Sequence, residues 1–361
     1  MWRPSPFLLH CWLTEWWRHY GEGCSLAVQA AFRGSRLAGA FPLVTYARQG
    51  LTVGTFLGGR QTAPADILVA EDEDPALARN LVERAGSAHD YADLFGLPSE
   101  CRLTAACDRG ELELFERVEA PVLDMSEGWE ATYRSNVNSK KRAHHRHRRR
   151  QLGALGAIDV AVARSPAELD SALDEAFRLH DLRWRGRHDG SGFATPTGRT
   201  FSRAALRAMA ENDAARIVML LLDGRPIAFV WHLVVERTLF LHRIAFDPQF
   251  ARFSPGLVNT INALEVASAE GVTRVEFLGG ADRYKVDLGG RFQPLHLGLG
   301  LCGSSSGRAV VAARVRWLRL RRVAKRSGAV RTVYDGTESI RRRLVRPRNV
   351  LRPSGAAQAG D

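Results

Sequence analysis

Apolar and polar positions change their period several times along this chain. Residues 217–222 form an unbroken apolar run, Asp223-Gly224 is a hairpin signal, and residues 226–235 return as a second apolar run, which predicts strand, tight turn, strand. Residues 238–246 are β-branched and aromatic and predict a third strand. After Gly256 the period becomes helical, with Leu257, Ile261 and Leu264 on one face and Asn259, Asn262 and Glu265 on the others, stopping at Gly271. Residues 272–278 alternate again and end in Gly279-Gly280. Further upstream, residues 12–20, 168–185 and 201–210 read as helices. An ungapped self-alignment at an offset of 190 lays residues 26–44 on 216–234, pairing Val28 with Val218, Gly34 with Gly224, Ala38 with Ala228, Leu43 with Leu233 and Val44 with Val234. Five identities in nineteen are within reach of chance for two hairpins, so the weight lies in their placement, one copy in each half of the chain. The pattern predicts two α/β units, each built around a hairpin: residues 1–125, then a basic helical connector at 126–153, a second unit at 154–305, and a basic helical tail at 306–361 with a frayed end.

With 361 residues and 45% hydrophobic content, the chain has material for about two domains and is not disordered over most of its length. No apolar run approaches the roughly 20 residues needed to cross a bilayer. The N-terminus lacks a secretory cleavage pattern, so the chain reads as cytoplasmic. Five cysteines without a CxxC pair indicate neither a disulfide framework nor a zinc site, and no metal is expected.

The formal charge of +12 is regional: residues 131–150 carry +8 and residues 308–348 carry +12, which leaves −8 for the remainder. Residues 139–153 are helix formers ended by Gly and contain no aromatic for base stacking. They read as a basic surface helix, with phosphate binding as the alternative. In the second basic window Val311, Val315 and Leu318 make a helical stripe, but Arg314 and Arg322 lie beside it. That poor segregation argues against a membrane-lying helix, with peripheral membrane contact through the tail as the alternative.

Candidate chemistry concentrates between the third strand and residue 285. Ser254 suits an N-cap and Pro255 the first helical position, leaving the amides of Gly256 and Leu257 free at a helix start, where the dipole favours an anion. Gly256 leaves room for a bulky anion to approach the backbone, and Arg252, next to Phe253, offers a second contact. An ordinary capped helix is the alternative. Strand alternation puts Glu276 with Arg274 and Leu278, opposite Val275 and Phe277. A carboxylate in a central strand either lines a cleft or pairs with a neighbour such as Arg274.

The order Asp223-Gly224-Arg225-Pro226-Ile227-Ala228, Phe246-Asp247-Pro248, Ser254-Pro255-Gly256, Glu276-Phe277-Leu278-Gly279-Gly280 and Tyr284-Lys285 resembles the GNAT-fold acyltransferases of the cellulose-biosynthesis CelD-like type. These are similar in turn to the Fem peptidoglycan aminoacyltransferases, which have two tandem GNAT-like domains. Leu179-His180 with Arg183-Trp184, and Ser139-Lys140 with Arg142, also look like the family pattern. The resemblance covers residues 126–300 well. It extends more weakly to the first domain, through Ser5-Pro6-Phe7, Trp12, Trp16-Trp17, residues 39–43 and Asp66. The usual phosphate signature, Arg/Gln-x-x-Gly-x-Gly/Ala, is met in part: counted from Arg252, Pro255 stands at the first Gly position and Gly256 follows it.

The resemblance implies an α/β (α+β) fold of two tandem GNAT-like domains with mixed, mostly antiparallel sheets flanked by helices, the first a shortened copy. It also implies that acetyl-CoA or another acyl-CoA enters a splayed sheet and lays its pyrophosphate on Arg252, Phe253, Ser254, Pro255, Gly256 and Leu257. Direct transfer would then use Glu276 as base and Tyr284 as proton donor to the thiolate. Lys285 would stabilise negative charge, with Asp282 and His242 as reserve bases. His180, Arg183 and Trp184 are the acceptor-binding candidates, with a structural His-Trp pair equally open. The expected function is an N- or O-acyltransferase acting on a sugar, cell-envelope or exopolysaccharide precursor. The alternatives are transfer from an aminoacyl-tRNA, with the basic clusters holding the RNA, and a non-catalytic scaffold in polysaccharide synthesis.

Overall fold

The computed structural model describes residues 5–185, 192–280 and 282–326. The tail beyond residue 326, with its expected frayed end, lies outside the described residues. Helix α1 (His10–Tyr20) is followed by β1 (Cys24–Leu26), β2 (Gln29–Arg33), β3 (Arg36–Phe41), β4 (Leu43–Arg48), β5 (Leu51–Phe56) and β6 (Leu68–Val69). Then come α2 (Ala76–Gly86), β7 (Tyr91–Pro98), α3 (Arg102–Ala106) and the long β8 (Leu112–Asp124). Helices α4 (Trp129–Asn136) and α5 (Ser139–Gly153) lead to β9 (Ile158–Ala163), α6 (Pro166–Trp184) and α7 (Pro196–Ala210). Strands β10 (Ala215–Leu222), β11 (Arg225–Val235) and β12 (Thr238–Phe246), helix α8 (Pro255–Ala269), β13 (Arg274–Glu276), α9 (Arg283–Asp287), β14 (Arg291–Gly300) and α10 (Ser305–Arg326) complete the order.

The chain forms two compact units, and neither is continuous in sequence. One joins residues up to His19 with Arg60–Ala65 and Glu116–His296; the other joins Tyr20–Gly59, Asp66–Phe115 and the described chain from Leu297 onward. Strands β8 and β14 each begin in one unit and end in the other. Helices α4 and α5, read from the sequence as a connector, belong to the unit of Glu116–His296.

In that unit the strand order is β8-β13-β12-β11-β10-β9, antiparallel throughout except for the β12/β13 pair. This is the mixed, mostly antiparallel α/β architecture that the family resemblance implies. Strands β10 and β11 are apolar on both faces because helices cover both. Val218 and Val230 pack with Ala263, Leu264 and Ala267 of α8, while on the opposite face Phe229 and Trp231 stack with Phe193. Burying each such side chain contributes about 1.5–3 kcal/mol. The β10/β11 turn has φ of 51° at Asp223 and 76° at Gly224, the two positive torsions that a tight hairpin of this hand requires.

The other unit contains β1, β4, β5 and β7 in that spatial order, with β5 and β7 parallel, and a small separate sheet ordered β2-β3-β6. The first copy of the repeat is therefore also a hairpin, β2/β3, with Gly34 at φ 60° in its turn. Helix α10 lays Val311, Val315 and Leu318, the stripe seen in the sequence, on Val53, Tyr91, Leu297 and Leu299 of this unit.

Candidate functional site

Strands β12 and β13 run parallel but are paired only at Thr238/Arg274, Leu239/Val275 and Phe240/Glu276. β13 ends at Glu276, whereas β12 continues to Phe246, so the two strands part immediately beyond Phe240. At the same point the register between β11 and β12 slips: Trp231 faces Arg243 and His232 faces Leu241, which leaves His242 as a bulged residue. A bulge kinks a strand and re-aims a side chain, and bulges recur beside functional openings.

The N-terminus of α8 abuts this stretch of β12. A Cβ on Gly256 would stand 3.0 Å from Phe246 Cδ1 and 3.5 Å from Ile244 Cδ1. A side chain at this position would therefore meet Phe246 and Ile244 of β12. Ser254 does stand at the N-cap with Pro255 at the first helical position, but it is left-handed (φ 55°, ψ 49°) and its side chain makes no cap hydrogen bond. Capping by a hydroxyl needs an extended backbone to bring it onto the first-turn amides. The first turn of α8 thus lacks its own side-chain cap. Phe253 is buried with Val258 and Ile227, and Leu257 packs partly buried on the α8 side of the sheet.

Several cations stand by this helix start. Arg252 is exposed with its guanidinium 4.5 Å from the centre of the Phe253 ring. Arg148 Nη1 donates to the Arg252 carbonyl at 2.6 Å, and Arg149 Nη1 donates to Asn262 Oδ1 at 2.6 Å. Arg183 lies over Phe246, 4.7 Å from the ring centre, and over Trp184 at 5.6 Å. The docking of Arg148 and Arg149 was not legible in the sequence, because a run of neighbouring cations has no period that marks one face. The buried pair His145 and Leu152, seven residues apart, was the available signal. Arg142, part of the family pattern, closes the end of α4 by donating to the carbonyls of Arg134 and Val137.

Glu276 is buried, and its Oε1 accepts from Arg274 Nε at 3.0 Å and Nη2 at 2.7 Å; Arg274 also reaches Gln293 Oε1 at 3.3 Å. Of the alternatives left open by the sequence, the structure shows the pair: the carboxylate has its Arg274 partner, at the last position where β13 pairs with β12. Tyr284 packs on the cluster containing Leu239 and Leu241 of β12, Val275 of β13 and Phe277 just beyond it. Its hydroxyl is buried without a hydrogen-bond partner, and burial drives its pKa upward. Lys285 is buried, donates to the Gly279 carbonyl at 3.0 Å and pairs with exposed Asp282 at 3.3 Å, so both residues brace the turn after β13. Burial lowers the Lys285 pKa, with Asp282 opposing the shift.

His242 stands among Phe7, Trp12 and Trp231, with ring centres 5.6, 5.6 and 4.6 Å away. Desolvation first, and the Arg243 charge second, push its pKa well below the ordinary value, so the ring is neutral. His180 is buried on α6, 5.3 Å from the Phe193 ring and 6.4 Å from Trp184. It is a packed aromatic neighbour of Trp184. Among the described residues no group of three or more His, Cys, Asp or Glu is arranged to hold a metal ion.

Residues 139–286 match the family described as acetyltransferase (GNAT) domain. The chain carries a GNAT acetyltransferase domain. It is accordingly an acyltransferase, and its GNAT domain includes the basic helix α5. Similar solved structures include FemX, with a TM-score of 0.57 and 10% identity, covering 80% of this chain and 91% of that one. L-PGS from Bacillus licheniformis has a TM-score of 0.53 and 13% identity, covering 84% of this chain and 95% of that one. The C-terminal DUF2156 domain of a candidate lysylphosphatidylglycerol synthetase from Agrobacterium fabrum has a TM-score of 0.52 and 15% identity, covering 84% and 91%. At such identities the likeness is one of fold. No curated protein matches the sequence significantly.

Proposed function

We propose that the protein is an acyl-CoA-dependent N- or O-acyltransferase that works by direct transfer, in the cytoplasm, on a sugar or cell-envelope precursor. An exopolysaccharide precursor, as in CelD-like proteins, is the finer form of this reading. The observation that carries it is the parting of β12 from β13 beside a helix start that has no side-chain cap and is flanked by Arg252 and Arg148. The orphaned Tyr284 hydroxyl supports the fit of a thioester donor, because a buried O–H without an acceptor is costly and a sulfur leaving group supplies one.

Bound acyl-CoA supplies the activated acyl group and the thiolate leaving group. In this reading the first-turn amides of α8 and the Arg252 guanidinium bind phosphate. Glu276 takes the proton of the acceptor amine or hydroxyl, and Tyr284 gives one to the departing sulfur. Lys285 and Asp282 hold the turn that carries Tyr284. Arg183 and Trp184 bind the acceptor, with His180 behind them.

Calorimetric titration with acetyl-CoA tests the donor. Micromolar binding is expected, weakened about tenfold or more in Arg252→Glu, where a charge beside the helix start is reversed. Arg252 is exposed, so the variant should fold. Gly256→Asp is a poorer probe, because its side chain meets Phe246 and overpacking of this kind costs about 1–3 kcal/mol. A folded wild type that binds no acyl-CoA sinks the reading. Tyr284→Phe is expected to lower kcat about tenfold, a barrier change of about 1.4 kcal/mol, without lowering the melting temperature. A loss of stability in that variant would mean that the hydroxyl has a structural partner.

A second reading, aminoacyl-tRNA as donor, is favoured by the exposed cations Lys140, Arg146, Arg149 and Arg150 of α5, the helix that docks beside α8. It predicts tRNA binding that falls steeply with salt. Retention of acyl-CoA binding with no tRNA binding at moderate salt would exclude it.

A further inference from the structure

Helix α10 has two apolar faces, and only one is used inside its unit. Val311, Val315 and Leu318 are packed, and two arginines secure the helix: Arg314 pairs with Asp93 at 2.7 Å and Arg319 with Glu113 at 2.9 Å. Away from that contact, Val310, Trp317, Leu320 and Val323 are 37%, 50%, 70% and 66% exposed. Val310, Trp317 and Leu320 follow one another at spacings of seven and three, which places them on one side of the helix. Residues 305–326 contain eight Lys or Arg and no Asp or Glu. Exposed Arg308, Arg316 and Arg322 flank the apolar positions, and Arg321 lies 5.2 Å from the centre of the Trp317 ring.

The sequence stripe argued against a membrane-lying helix because arginines crowd it. The structure removes that objection, since the crowded stripe is the one buried against the protein. We infer that the outer face of α10 docks on an anionic lipid surface, with Trp317, Leu320 and Val323 at the headgroup level and the arginines on the phosphates. Charge complementarity selects this occupant. A second copy of the chain would set two acid-free cationic helices against each other. A nucleic-acid backbone would satisfy the arginines but give Leu320 and Val323 nothing to bury against. An interface of lipid headgroups and acyl chains takes both the apolar side chains and the cations, whose stems extend along the apolar surface. No described helix is long and apolar enough to cross a membrane, so the contact is peripheral.

Co-sedimentation of the full chain with vesicles tests this. Binding is expected to vesicles containing phosphatidylglycerol and not to pure phosphatidylcholine. The double variant Trp317→Ser with Leu320→Ser, and separately Arg316→Glu with Arg322→Glu, should each lower the partition coefficient about tenfold or more. Transfer to a dissolved acceptor should be unchanged in both, since these residues lie outside the acyl-transfer machinery. Brominated lipids should quench the wild type more than Trp317→Phe, which reports insertion of that ring directly. Unchanged vesicle binding in the serine variant overturns the inference. So does tRNA binding that drops in the charge variant while vesicle binding is absent, since the face would then read a nucleic-acid backbone.

Discussion

Glu276→Gln is expected to lower kcat by about 10²- to 10⁴-fold, the usual worth of a general base, with little change in KM for the acyl donor. The substitution keeps the shape of the side chain and an oxygen that accepts from Arg274 Nε and Nη2, so the buried contact survives while the basic carboxylate is lost. Glu276→Ala is the wrong probe, because it removes the partner of a guanidinium only 26% exposed and mixes misfolding with catalysis. The pH–rate profile separates the two bases near the opening. If Glu276 accepts the proton, the acid limb disappears in Glu276→Gln and persists in His242→Gln. If the neutral ring of His242 does the work, the pattern reverses. A Glu276→Gln enzyme that keeps full kcat but melts earlier would make the Arg274 pair purely structural.

Most of the GNAT domain was legible because its signals are local. The hairpin over β10 and β11 is fixed by Asp223-Gly224 between two apolar runs, and its turn takes the positive torsions those residues favour. Helix α5 begins and ends where the sequence predicts, since Asn138 caps Lys141 N and the Gly153 end breaks the run of helix formers. The start of α8 was half legible: Pro255 fixes the first helical position, but nothing local says that Ser254 turns left-handed and loses its cap bond. Long-range relations were not legible at all. The short pairing of β12 with β13 depends on where β8 lies on the other side of β13, and β8 is more than a hundred residues earlier in the chain. The assembly of each unit from separated segments is likewise invisible to periodicity. The stripe of Val311, Val315 and Leu318 on α10 was legible, but the strands it packs on were not.

The second large effect concerns stability in acid. His232 is wholly buried in β11, both ring nitrogens lack hydrogen-bond partners, and its pKa is pushed down to about 3. Burial is the main cause, and the charges of Arg216 and Arg164 add to it. Both arginines are themselves held by Glu270, and Arg216 also by Asp213 at 2.9 Å, so these cations are fixed near the ring. The unfolded chain takes up a proton on this residue near pH 6.5, and the folded chain refuses it until about pH 3. Stability from this group is therefore complete above pH 6.5 and is lost as pH falls toward 3, at about 1.4 kcal/mol per pH unit. At pH 5 the loss is about 2 kcal/mol, a large part of the margin of an ordinary domain. His232→Leu, which fills the site with an apolar side chain and leaves no ring nitrogen without a partner, should be at least as stable as the wild type at pH 7.5 and clearly more stable at pH 5. Denaturant unfolding of both proteins at the two pH values measures the difference. His89, His145 and His242, whose pKa values are also lowered mainly by burial, remain in both proteins and cancel in the comparison. Parallel losses in wild type and variant would place the acid sensitivity on those three rings instead.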